Sequence, residues 1–333
     1  MPGASSRADL PGLRRVWIAG LALFAVMLLG LQIWWVGPAA VASTLAQLDP
    51  LAAAFSLLAI VLGALVSGTN AWWLAMRSEG VGYGRFLSHY WTGWSVGLIL
   101  PGQVGDALTI SLLLRQQQIP LSRSLAGLGI DKLLSLLVAL AAVCALPVVF
   151  TDSAVGTAAI GLIAALVAML FALAAAERWL AARVALISGR LLKHAVDAML
   201  HAGQLLRVRP GVVVANLLLS LLKLGLTGLS YWYALQAMGQ PMAWAQWPAV
   251  TLCAAAAGLV AYVPVSLNGI GTVELTGIAL FGALGLPAAA ILGSYLWLRF
   301  ATLFAAFLPV LVMLAVARLR QTRRRPDHGP DPP

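Results

Sequence analysis

Two hydrophobic stretches of this chain are each broken in mid-run by a proline, glycines and one carboxylate, and these breaks limit its fold more than any other feature. They are Leu100-Pro101-Gly102-Gln103-Val104-Gly105-Asp106 and Val263-Pro264-Val265-Ser266-Leu267-Asn268-Gly269-Ile270-Gly271-Thr272-Val273-Glu274. A lipid-facing helix does not accommodate such a break, because the freed backbone groups and the acid need partners or water. Interrupted apolar segments in both halves of a chain point to a binding site built at half-helix ends.

The setting of the breaks is a bilayer. The chain is 61% hydrophobic and 10% charged over 333 residues, with mean hydropathy +0.93. That leaves no sizeable soluble domain and predicts an all-α, polytopic integral membrane protein. A net charge of +10 reads as cytoplasmic loops beside anionic lipid rather than as a nucleic-acid surface. Cys144 and Cys253 both lie in apolar runs, so no structural disulfide is expected. The first apolar run, 16–36, exceeds the 7–15 residues of a signal-peptide core and carries Trp34-Trp35 as an interfacial belt, so it reads as an uncleaved helix.

The apolar runs are 16–36, 51–76, 86–114, 124–150, 154–176, 212–237, 248–284 and 288–316, with the breaks inside the third and the seventh. Bases fall before the first run (Arg7, Arg14, Arg15) and between the second, third and fourth (Arg77, Arg85, Arg115, Arg123). More fill the link at 177–211 (Arg178, Arg183, Arg190, Lys193, Arg207, Arg209) and the tail (Arg318, Arg320, Arg323, Arg324, Arg325). These are all of the 21 Lys and Arg except Lys132, Lys223 and Arg299; the connections 37–50, 151–153, 238–247 and 285–287 hold none. The positive-inside rule places the basic connections in the cytoplasm, with both termini. Residues 1–15 are then a cytoplasmic N-terminus, 16–316 a single membrane domain, and 317–333 a basic, disordered cytoplasmic tail. The link reads equally as an amphipathic surface helix or a solvated connector.

Under this assignment each broken segment starts and ends on one face. Its outgoing arm, 86–100 or 248–263, is about 15 residues, below the ~20 that span a bilayer. The expectation is therefore about six spanning helices and two re-entrant broken hairpins entering from opposite faces. Residues 51–150 and 212–316 each read as run, hairpin, run in opposite orientation, an inverted-topology repeat. Pro101 stands 50 residues after position 51 and Pro264 stands 52 after position 212.

Charged residues within these runs are the candidate site. An acid inside a membrane costs at least ~2.5 kcal/mol, so Asp106 and Glu274 need a partner or a task. Each is placed to cap the returning half-helix, or to bind a proton, a cation or a headgroup. Arg299 suits an ion pair with such an acid or a bidentate grip on a phosphate. Asp131 and Lys132 diverge by about 100° on a helix and need not pair with each other. With Lys223 the tally is three acids against three bases, which predicts an internal paired network. Asn70 and Asn268 complete the polar set, and Pro101, Gly102, Gly105, Pro264, Gly269 and Gly271 are the half-helix breaks. The four histidines (His89, His194, His201, His328) are scattered, no metal-ligand spacing occurs, and no phosphate-loop or dinucleotide fingerprint is present. Neither an enzyme nor a cofactor is expected.

At these residues the chain resembles the transmembrane domain of bacterial lysylphosphatidylglycerol synthases and the wider flippase-like family. The resemblance covers roughly 60–312. It rests on Asn70 with a following Trp, Pro101-Gly102 before Gly105-Asp106, Asp131-Lys132, Pro264 with Asn268-Gly269-Ile270-Gly271 and Glu274, and Arg299 before Pro309. The chain departs from the family pattern at Val104, where Gly is usual, at Thr109, where Arg is common, at Trp72-Trp73, where an Arg often follows the Asn, and at Lys132, where the family has Arg. The aminoacyl-transferase domain of the full synthases is missing, so lysyl transfer is not expected. The resemblance implies a lipid translocase of the bacterial inner membrane that moves an anionic phospholipid or lipid-linked glycan, with no nucleic-acid partner. The alternatives are a secondary transporter of a small solute and a non-catalytic subunit, self-associated or joined to an envelope-lipid enzyme.

Overall fold

The computed structural model describes residues 10–99, 105–149, 161, 164–165, 168, 210–263 and 265–324. Pro101, Gly102, Pro264, most of run 154–176, the link up to residue 209, the first nine residues and the tail beyond 324 lie outside the described residues.

Every described element is helical. Helix α1 (Leu10–Val36) stops at Gly37, whose φ of 100° no β-carbon tolerates easily, and Pro38 starts the short α2 (Pro38–Ala46) at its first position. Asp49 then caps α3 (Pro50–Ala71) by accepting a hydrogen bond from the Leu51 N–H at 2.8 Å. The end of α3 loosens into a π-helical turn, Trp72–Met76, and a 3-10 turn, Arg77–Glu79. The first broken segment forms α4 (Tyr83–Ile99) and α5 (Gly105–Arg115), followed by α6 (Leu121–Val149) and α7 (Pro210–Ala237). The second forms α8 (Trp247–Leu259), flanked by 3-10 turns at Trp244–Gln246 and Val260–Tyr262, and α9 (Thr272–Ala283). Helix α10 (Ala288–Arg324) closes the fold.

Among the described residues, six stretches are long and apolar enough to cross a membrane: Ala19–Val36, Pro50–Leu74, Gly127–Pro147, Gly211–Ala237, Trp244–Tyr262 and Ala288–Val316. Five coincide with expected crossings. The remaining one is the outgoing arm of the second broken segment. With its flanking 3-10 turns that arm reaches 19 residues, so its length no longer separates re-entry from crossing. The other arms stay short, at 17 residues for α4, 11 for α5 and 12 for α9.

Helices α3 and α7 run antiparallel along the centre. Asp49 N–H donates to Ala237 O (2.9 Å) at one end, and Asn70 Nδ2 donates to Asn216 O (3.2 Å) near the other. Ser56 Oγ donates to Ser230 O (2.9 Å) between them. Small residues allow this closeness, as is usual between membrane helices. The broken segments fold back on themselves in the same way. In the first, Gly93 faces Ile110 and Gly97 faces Asp106, which sets α4 antiparallel to α5. In the second, Gly269 faces Ala261 at the end of the outgoing arm, and beyond the bend Gly277 of α9 lies against the Tyr295 ring of α10. Helix α1 lies over this second bend, where Gln32 Nε2 donates to Gly271 O at 2.6 Å and Leu28 packs against Gly271.

Candidate functional site

The two breaks build their sites by one plan. Asp106 occupies the first turn of α5, where Oδ1 accepts from the Ala107 N–H (2.7 Å) and Oδ2 meets Lys132 Nζ of α6 at 2.5 Å. Glu274 occupies the first turn of α9, where Oε2 accepts from the Gly271 N–H (2.6 Å) and Oε1 accepts from Arg299 Nε of α10 at 2.8 Å. Each acid therefore caps its half-helix and binds a base on the next long helix. The capping geometry expected of both acids is present, and each acid also carries an ion pair within the protein.

Backbone geometry at the second break explains its glycines. Asn268, Gly269 and Gly271 have φ of 49°, 71° and 85°, and the left-handed region favours Gly and tolerates Asn. A β-carbon on Gly269 would lie 2.6 Å from Val273 Cγ2, and one on Gly271 2.8 Å from Leu28 Cγ. The turn presents the Asn268 carbonyl to Arg299 Nη1 at 3.1 Å. Arg299 thus ties both sides of the break together. Gly105 opens α5, and its carbonyl accepts from Thr109 Oγ1 at 2.8 Å.

Asp131 and Lys132 diverge as their helical positions require. Lys132 points to Asp106, whereas Asp131, 7% exposed, accepts a hydrogen bond from Asn216 Nδ2 of α7 at 2.8 Å. Asn216 also offers its carbonyl to Asn70, whose Nδ2 reaches Ser220 Oγ at 3.1 Å. A polar thread thus links α3, α7 and α6.

These groups surround one cavity of about 430 Å³. Asp106, Asp131, Lys132, Lys223, Asn268 and Arg299 line it, with Gly63 and Ser67 of α3 and Tyr90 and Trp94 of α4. Two of the proposed site residues stand behind the wall. Glu274 is 1% exposed beneath Arg299, and Asn70 is 3% exposed between α3 and α7. The tyrosines at 90, 231, 262 and 295, which also line the cavity, were not among the sequence candidates. Their signal was a phenol in the interior of an apolar run, away from the interfacial ends. Gln32 is likewise a single amide within the first run.

The fold and this site define a multi-pass helical membrane protein with a charged cavity enclosed by both of its broken segments. Residues 17–310 match the family model of the lysylphosphatidylglycerol synthase TM region, and the chain belongs to that family. No curated protein matches the chain.

Proposed function

We propose that the protein is a lipid translocase of the bacterial inner membrane, with both termini cytoplasmic, and a transporter rather than an enzyme. The observation that carries this reading is the convergence of three cations and two carboxylates on one cavity between membrane helices. Such charges are costly in lipid and mark a path for polar cargo. A volume of about 430 Å³ suits a headgroup and is too small for two acyl chains, so the tails remain in the bilayer while the headgroup passes.

Two features favour a lipid over a soluble solute. Tyr262 and Leu303 both line the cavity and are 40% and 47% exposed, which supports a cavity open toward the surrounding lipid. The matching ion pairs, one at each break, also support an inverted repeat. The acid-to-base separation is 26 positions for Asp106–Lys132 and 25 for Glu274–Arg299. Hairpins entering from opposite faces would let the cavity open to either leaflet in turn.

The test is movement of a fluorescent phospholipid in reconstituted vesicles. Asp106→Asn and Glu274→Gln should each abolish or strongly slow movement in protein that still folds, and so should the double variant Arg299→Gln with Glu274→Gln, which leaves no bare carboxylate buried. Wild-type rates in all three variants sink the reading. Uptake of a soluble solute with lipid distribution unchanged replaces it with secondary transport.

A further inference from the structure

Among the charges within the apolar runs, two pairs are closed and one is open. Lys132 meets Asp106 at 2.5 Å and Arg299 meets Glu274 at 2.8 Å. Asp131 of α6 and Lys223 of α7 both line the cavity and act on each other electrostatically, yet no ion-pair contact joins them.

The three carboxylates differ in what a proton would cost them. Both oxygens of Asp106 accept hydrogen bonds, from the Ala107 N–H and from Lys132. Both oxygens of Glu274 are engaged likewise, by the Gly271 N–H and by Arg299. Protonating either acid weakens a charge-assisted bond and leaves its base without a counter-charge. Asp131 accepts from Asn216 Nδ2 at 2.8 Å through Oδ1 alone, and among the described residues its Oδ2 has no hydrogen-bond partner. A proton added at Oδ2 breaks no bond, because the neutral amide donates to Oδ1 in either charge state.

The groups that act on Asp131 are Lys223 of α7, Lys132 of its own helix, Asp106 of α5, Tyr90 of α4 and Tyr262 after α8. Helix α3 and the π-helical turn Trp72–Met76 hold no titratable side chain, and Cys253 of α8 is packed into the hydrophobic core. Ser135 lies one turn along α6 from Asp131, lines the cavity and stands 3.3 Å from Ser220 Oγ, so hydroxyls flank the acid. Intramembrane carboxylates in such settings serve as proton relays in pumps and transporters.

We propose that Asp131 binds and releases one proton at Oδ2 in each transport cycle, so that a proton gradient drives the protein. This rests on the translocase reading for what is moved. The proton comes from water at one face of the membrane and returns to water at the other, and no bond besides O–H forms or breaks. With Asp131 neutral, the charge of Lys223 is no longer balanced. The cavity therefore has two electrical states, and cargo binding and proton binding are linked through that one charge.

The full chain is reconstituted in vesicles with a pH difference of about two units across the membrane. Movement of a fluorescent phospholipid and the internal pH, read by an enclosed dye, are followed together. A gradient of one sign should speed movement by about tenfold relative to no gradient, the opposite gradient should slow it, and protons should cross with the lipid. Asp131→Asn should bring the ratio of rates with and without the gradient to one, and Asp131→Glu should keep the response. A purely structural role through Asn216 would lower the unfolding temperature and leave that ratio unchanged. Wild-type movement indifferent to the gradient, or a response that survives Asp131→Asn, overturns the proposal. If Asp131→Asn does not fold or moves nothing, infrared spectra of the detergent-solubilised chain over the same pH range decide. The C=O stretch of a protonated carboxyl should then shift between wild type and Asp131→Glu, and no shift overturns the proposal. That shift in a wild-type chain that moves no lipid upholds the proton site and removes the lipid cargo.

Discussion

Arg299 of α10 grips the second break from both sides, donating from Nε to Glu274 Oε1 at 2.8 Å and from Nη1 to the Asn268 carbonyl at 3.1 Å. Its partner Glu274 is 1% exposed and also caps α9 through the Gly271 N–H. One guanidinium therefore fixes the turn, the start of the returning helix and the cavity wall. Lys132 and Asp106 make a similar link at the first break, between single atoms and with more exposure, at 34% and 14% of their side chains.

Removing the guanidinium should damage the fold. Arg299→Ala strands a buried carboxylate, which costs about 3 kcal/mol or more. The expected readout is a large drop in unfolding temperature in detergent. Arg299→Ala with Glu274→Gln together should recover part of that loss, because no bare charge is left behind. Arg299→Lys should recover little, since a point ammonium does not reproduce two donors in fixed directions. An unfolding temperature unchanged in Arg299→Ala contradicts this account.

The first pair should behave differently. Asp106→Asn keeps the shape and part of the cap while removing the charge that holds Lys132. Loss of a charge-assisted hydrogen bond here is worth about 1.5–3 kcal/mol. That energy is expected to appear mainly in transport, as a rate lower by about tenfold or more, because this pair faces the cavity. The check is the ratio of the rate loss to the stability loss, compared with the same ratio for Glu274→Gln. A larger ratio for Glu274→Gln reverses the assignment of roles.

Close helix contacts give a sharper mutational contrast. A β-carbon at Gly228 would lie 1.8 Å from Thr251 Oγ1, and one at Gly277 would lie 2.2 Å from the Tyr295 ring, whereas Gly129 has nothing within 4 Å. Gly228→Ala and Gly277→Ala should each destabilise by about 1–3 kcal/mol through overpacking. Gly129→Ala, in the interior of α6, should be neutral or stabilising by about 0.5–1 kcal/mol through helix propensity. Thermal unfolding of the three variants side by side measures this, and equal effects at all three positions refute the packing argument.

Much of this was legible in the sequence, for a physical reason. Charge within an apolar run is so costly that Asp106, Asp131, Lys132, Lys223, Glu274 and Arg299 announced themselves without any structural information, and five of the six line the cavity. Positive φ at Gly269 and Gly271 follows from a bend that must reverse the chain in little space. What stayed hidden depended on helix azimuth and long-range packing. Nothing in the spacing says that Lys132 turns to α5 while Asp131 turns to α7. Gly37-Pro38 reads as a plain connection, yet the glycine ends one helix and the proline begins α2. The length of the outgoing arm at 244–262 depended on 3-10 turns that hydropathy does not resolve.

Gln32 predicts how the second break is secured. Its amide donates to Gly271 O at 2.6 Å from a position 3% exposed. Gln32→Leu keeps the volume and leaves that carbonyl without its donor, at a cost of about 1–3 kcal/mol. The bend should loosen. In a background with Cys144 and Cys253 replaced by Ala, a cysteine at Ser266, which is 2% exposed, should react faster with a thiol reagent once Gln32→Leu is added. An unchanged reaction rate means that α1 does not hold the bend.

The direction of the hairpins is open to the same chemistry. Ile99 and Val265 are 59% and 50% exposed and mark the tips of the two broken segments. If the segments enter from opposite faces and turn back inside the bilayer, Ile99→Cys should be shielded from a membrane-impermeant thiol reagent added outside, and Val265→Cys from one added to the cytoplasmic side. Reagent that reaches either cysteine must come through the cavity, so labelling should fall when a short-chain phospholipid occupies it. Full crossings predict the reverse, with Ile99→Cys labelled freely from outside and Val265→Cys from the cytoplasm, neither protected by lipid. The α8 arm, at 19 residues with its turns, makes Val265→Cys the more discriminating of the two. Free cytoplasmic labelling there places the second break at the far face and removes it as a re-entrant element.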